Sequence, residues 1–119
     1  LRQALPVMQE ARVADAHHTL QAQHLLGGIL VGLGELGEAL EIVEETYRRR
    51  VTLLGEAHST TLHVRLTYAR AIAGTVGPEA AIAELQAGRM LAIETLGEDH
   101  FLVENYDAEL ARVREGLGP

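Results

Sequence analysis

Two segments of the chain, Leu53–Leu62 (LLGEAHSTTL) and Thr95–Glu104 (TLGEDHFLVE), share Leu-Gly-Glu-x-His. Gly55 and Gly97 stand 42 positions apart, and so do His58 and His100. The same step back from Thr61-Leu62 lands on Thr19-Leu20, in ADAHHTLQ. Between these marks Gly27 aligns with Ala69, Leu30 with Ile72, Ala39 with Ala81, Leu40 with Ile82 and Val43 with Leu85. Small residues meet small ones and large apolar residues meet large ones. A recurrence at this spacing describes one supersecondary unit used again. Such a unit cannot bury its apolar face alone, so the copies must stack.

The unit reads as two helices. Leu20, Leu26, Leu30 and Leu33 share one helical stripe; Leu40, Val43, Tyr47, Val51 and Leu54 share a second. Composition agrees: 47% of the residues are apolar but only 3% aromatic, and prolines number 3, so Leu, Ile, Val and Ala must build a helical core. Helices are predicted near 18–33, 37–53, 60–74, 79–95 and 102–116. A stub near 6–13 would be the tail of a preceding helix, with Pro6 breaking the chain ahead of it. Ser59 or Thr60 suits an N-cap, and Pro78 after Gly77 suits a helix start. The fold class is thus all-α, built of antiparallel helix hairpins. As a single domain it divides into a tail (1–14), two repeats (15–56 and 57–98) and a C-terminal half repeat or capping helix (99–119).

The formal net charge is −7, and all ten basic residues are Arg. That balance argues against binding to nucleic acid or to an anionic membrane surface, both of which favour concentrated positive charge. No cysteine is present, which excludes disulfides and thiol chemistry. No apolar run approaches the ~18 residues of a membrane span, and no signal-like start is seen. A cytoplasmic location is expected. Leu1 is not an initiator Met, so a piece of a longer protein is expected.

The run Thr19-Leu20, Leu26-Gly27, Leu30, Gly34, Glu38-Ala39, then Leu54-Gly55-Glu56-Ala57-His58 and Thr61-Leu62, resembles the tetratricopeptide repeat family. It is most similar to the 42-residue variety found in kinesin light chains and in many bacterial multi-repeat proteins. Tyr68-Ala69, Ile72, Ala81 and Leu96-Gly97-Glu98-Asp99-His100 continue the likeness. The resemblance implies a right-handed α-solenoid with a concave groove, acting as a scaffold for protein binding without catalysis or cofactor. The family's loop Pro after His is replaced by Ser59 and Phe101. Its groove-facing Asn pair is replaced by His24-Leu25 and Leu66-Thr67.

Other motifs are weighed against this frame. GLGELG (Gly32–Gly37) is a G-x-G-x-x-G, which in a βαβ unit would cradle a dinucleotide. No strand run follows it, and its place in the repeat is the turn between two helices. Gly34 is expected at a helix C-terminus, with Gly32 allowing close packing in the last turn. His17-His18 with His24 suggests a metal site only loosely, because the spacing misses i,i+4, so no metal is assigned. The recurring His58 and His100 are expected to hydrogen-bond backbone in the interhelical loops. Arg48, Arg49 and Arg50 follow Glu41, Glu44 and Glu45, giving i,i+4 pairs on a solvated outer face.

The resemblance also implies which residues line the groove. Positions one, four, five and eight after the opening Leu of each first helix give Gln21, His24, Leu25 and Gly28. The next copies give His63, Leu66, Thr67 and Arg70, then Asn105, Ala108, Glu109 and Arg112. Arg70 and Arg112 would form a basic strip suited to an acidic or C-terminal peptide segment. The competing expectation pairs them with Glu109 and Glu115. A second reading makes the chain a sensory or autoregulatory segment of a multidomain bacterial transcriptional regulator or signalling ATPase. A third, remote one is an enzyme using the GLGELG turn to bind a nucleotide. Leu5, Val7 and Met8 are too few to seal Leu20 and Leu26, so weak self-association through a solenoid end is expected.

Overall fold

The computed structural model describes residues 4–116, with side chains from residue 12 onward. It contains five helices: α1 (Ala4–Leu33), α2 (Leu36–Leu54), α3 (Ser59–Thr75), α4 (Pro78–Leu96) and α5 (Phe101–Gly116). Among the described residues there is no strand. Each helix packs on the next, α1 also packs on α3, and α3 on α5. Linkers this short force antiparallel neighbours. The molecule is elongated, 65 × 33 × 18 Å.

The separate stub is corrected. Residues 6–13 belong to α1, which runs unbroken for 30 residues. Pro6 sits in its first turn, where the missing N–H costs nothing because that turn has no intrahelical acceptor for it. The seal expected of Leu5, Val7 and Met8 concerns side chains outside the described residues.

The turns follow from glycine and histidine chemistry. Gly34, Gly55, Gly77 and Gly97 all have positive φ, which a Cβ would oppose. Gly34 closes α1 with two bonds, Gly34 N–H to Val31 O (3.1 Å) and Glu35 N–H to Leu30 O (2.9 Å). That bond pair is a Schellman cap, and it is the role of the middle of GLGELG. Gly32 meets open space, so the close packing expected there does not occur; Gly27 is the glycine that does this, lying against Val43. In the recurring Leu-Gly-Glu-x-His loop, His58 is the N-cap of α3, its Nδ1 accepting from Thr60 N–H at 3.1 Å. His100 Nδ1 accepts from Leu102 N–H at 3.1 Å in the same way. The imidazoles therefore bind backbone, and His58, not Ser59 or Thr60, is the cap.

The core centres on α3, α4 and α5. Leu62, Leu66 and Ala69 pack with Leu85, Leu102, Tyr106 and Leu110. Tyr106 is fully buried over Gly88, and its hydroxyl donates to Leu62 O at 2.7 Å. Forty-two positions beyond Leu62, Leu66 and Ala69 stand Glu104, Ala108 and Ala111, all exposed. The outer face of α5 is thus polar or small. The outer face of α1 differs: Leu25, Leu26, Ile29 and Leu33 are exposed. The stripe predicted for α1 is accordingly buried only at Leu20. The deepest stripe of α2 is also rotated from the predicted one. It runs through Ala39, Val43, Thr46 and Arg50.

Candidate functional site

One cavity of about 1020 Å³ opens between α1, the end of α2 and the start of α3. Gln21, His24, Leu25 and Gly28 line it from α1, and His63, Thr67 and Arg70 line it from α3. Their helical spacing puts each set on one face of its helix, and the packing of α1 on α3 brings the two sets together. Gly28 has nothing near the place a Cβ would occupy, which leaves the wall open there.

Five of the predicted positions fall elsewhere, and of these Ala108 and Glu109 sit on α5 away from the cavity. Leu66 is 2% exposed and belongs to the core, because α4 and α5 cover that side of α3. Asn105 is exposed but does not line the cavity. Arg112 lies outside it too, and donates to Glu109 at 3.0 Å. Arg70 Nε donates to the other oxygen of Glu109 at 2.7 Å. Glu109 is 5% exposed, so this carboxylate draws in both guanidinium groups. The expected basic strip is engaged from within, both arginines pairing with the one carboxylate of Glu109 and neither with Glu115 among the described residues.

The charge left in the cavity comes from a residue expected on the solvated face. Arg50 is 5% exposed, whereas Arg48 and Arg49 are exposed. Of the anticipated i,i+4 pairs, Glu44–Arg48 and Glu45–Arg49, the second forms, at 4.0 Å between groups about half in water. Arg50 Nη1 is hydrogen-bonded to His17 Nδ1 at 2.6 Å, and Nη2 donates to His17 O at 3.3 Å. Its Nε is buried with no acceptor among the described residues. Among the described residues Arg50 makes no ion pair, and burial pulls its pKa below the usual value.

Four imidazoles share the cavity: His17, His24, His58 and His63. His24 Nε2 bonds Thr67 Oγ1 at 2.8 Å, and its ring meets that of His63 edge-on at 4.9 Å. Burial, then the neighbouring His63, Arg50 and Arg70, lowers the His24 pKa to about 4. His63 is also lowered, by desolvation and then by Arg70. His24 is therefore neutral near pH 7, and among the described residues no Asp or Glu lines the cavity. Among the described residues no three His, Asp or Glu side chains gather as a metal ion would require. No helix there is long and apolar enough to cross a membrane.

Sequence reasoning missed Arg50 and His17. The spacing Ala39, Val43, Thr46, Arg50 carried the signal, since it sets Arg50 on the stripe that turns inward. Compared with known proteins, the chain matches no family model, no curated protein and no solved structure. The tetratricopeptide resemblance rests on the residues quoted for it.

Proposed function

We propose that the chain is a non-catalytic interaction module of tetratricopeptide type, in which α1, α3 and α5 are the first helices of successive repeats. On this reading the helices stack as a right-handed solenoid, and the wall built by α1 and α3 holds a peptide or partner domain. The observation that carries the reading is the single cavity that seven of the twelve residues named for the groove line together. A groove of this size with polar groups converging on an apolar wall suits an extended peptide. The pairing of Arg70 and Arg112 with Glu109 moves the charged anchor of that groove to Arg50 and its histidines.

The module can be tested by peptide display. Peptides selected on the wild-type chain should lose binding to Gly28→Trp, which fills the cavity from an open helical position without touching the core. Failure to enrich any peptide, or binding unchanged by Gly28→Trp, would refute the groove. A second reading, an autoregulatory segment packed on a neighbouring domain, is favoured by the exposed Leu25, Leu26, Ile29 and Leu33 of α1. Protection of these residues in a longer form of the protein, and not in the isolated chain, would distinguish it.

A further inference from the structure

We infer that the cavity between α1 and α3 is a binding site for an oxyanion, a carboxylate or a phosphate, whose counter-charge is the Arg50 guanidinium. The inference takes its location from the groove reading but does not depend on a protein partner.

A buried charge is costly unless it is paired, and removing a partner from a buried pair leaves a penalty of several kcal/mol. Arg50 is nearly fully buried, yet no carboxylate faces it among the described residues. Its terminal edge, Nη1 and Nη2, is engaged by the ring and carbonyl of His17. The edge bearing Nε–H is buried and has no acceptor among the described residues. Guanidinium edges match planar or tetrahedral oxyanions with two parallel N–H donors, so the free edge is a receptor for that geometry.

The surroundings carry the same sign. Ser59 and Thr60, in the first turn of α3, line the cavity beside Arg50. Thr60 N–H is taken by His58, whereas the N–H of Ser59 has no acceptor among the described residues. A helix start of this kind adds partial positive charge and a free donor. His63 and Thr67, farther along α3, and His24, on the α1 wall, add further polar groups, with His24 and Thr67 bonded to each other. Glu109 is already committed to Arg70 and Arg112, and so does not compete for the site. In a chain of net charge −7, a cavity with no acid among the described residues and with the Arg50 guanidinium free of any carboxylate there is a local reversal of the electrostatic balance. Carboxylate and phosphate share this chemistry, and the test separates them.

The probes are inorganic phosphate, acetate, and a short acetylated peptide with either a free or an amidated C-terminus. The first readout is the Arg50 Nε–H resonance of the wild-type chain under titration. It should shift saturably with at least one oxyanion and not with chloride at equal ionic strength. Response to the free-acid peptide but not its amide identifies a peptide terminus as the source; response to phosphate alone identifies a phosphate-bearing ligand. The melting midpoint should rise with the anion that binds, as ligand linkage requires, and Arg50→Met should abolish that rise. Absence of a saturable shift with every probe, or an equal response in Arg50→Met, overturns the inference. Should Arg50→Met not fold, the wild-type resonance decides alone. Anion binding without any selected peptide would refute the peptide groove and keep this site; peptide binding without an anion response would do the reverse.

Discussion

Two side chains of this protein are charged and equally buried, Arg50 and Glu109, each 5% exposed. They stand in opposite halves of the molecule and are treated differently. Glu109, on α5, is clasped by Arg70 and Arg112, whose own side chains are 38% and 66% exposed. Arg50, on α2, is held by the imidazole and the carbonyl of His17, with one N–H left without an acceptor among the described residues. The first arrangement completes itself inside the chain. The second leaves that buried N–H without an acceptor among the described residues. The comparison teaches where stability and binding lie: the α3–α5 half spends its charges on holding helices together, and the α1–α3 cavity keeps one in reserve.

The largest expected effect breaks the completed half. Replacing both Arg70 and Arg112 by Met leaves the Glu109 carboxylate buried and unpaired, and should cost about 3–5 kcal/mol in urea unfolding. Glu109→Gln should cost clearly less, since the two arginines it releases can reach water. Equal costs for the two variants would show that the carboxylate is hydrated and not paired. Converting both arginines to Glu is expected to unfold the chain by crowding like charges around Glu109, and so does not report on the groove.

A smaller effect comes from pH. The folded pKa of His24 is about 4 against 6.5 for an unhindered imidazole. The unfolded chain therefore binds the extra proton more readily, and stability rises with pH across this window. It is complete above about 6.5 and declines as the pH falls toward 4. Allowing for solvent screening of a partly exposed ring, the loss should be on the order of 1–2 kcal/mol. His24→Gln should flatten the stability profile between these values, measured by denaturant unfolding at a series of pH values. An unchanged slope would place the acid sensitivity elsewhere.

The smallest effect sharpens the contrast. In anion-free buffer Arg50→Met should change stability by less than about 1 kcal/mol, or raise it, because the lost bonds to His17 are offset by removing an uncompensated buried charge. A loss as large as that of the Arg70 and Arg112 pair would mean that Arg50 is as well compensated as Glu109.

Much of the helical architecture was legible because it depends on local chemistry that repeats. Leu-Gly-Glu-x-His places a glycine where φ must be positive and an imidazole where a first-turn N–H needs an acceptor, and both requirements are met within a few residues. The same locality explains why GLGELG reads as a turn, since the two bonds around Gly34 close the helix that precedes it. The α1 and α3 walls of the cavity were legible for a related reason, because helical spacing carries from one copy to the next. The fate of charge was not. Whether Arg50 lies in water or under α1, and whether Arg70 faces a ligand or Glu109, depends on which helix lies across it. Arg70 and Glu109 are 39 positions apart, and Arg50 and His17 are 33 apart. No local pattern encodes such encounters. The sequence alone determined the helices, their turns and their repeat, since these rest on bonds between near neighbours. Only the tertiary structure decided which arginine is spent on the fold and which remains unpaired, because desolvation and ion pairing are set by contacts between distant segments.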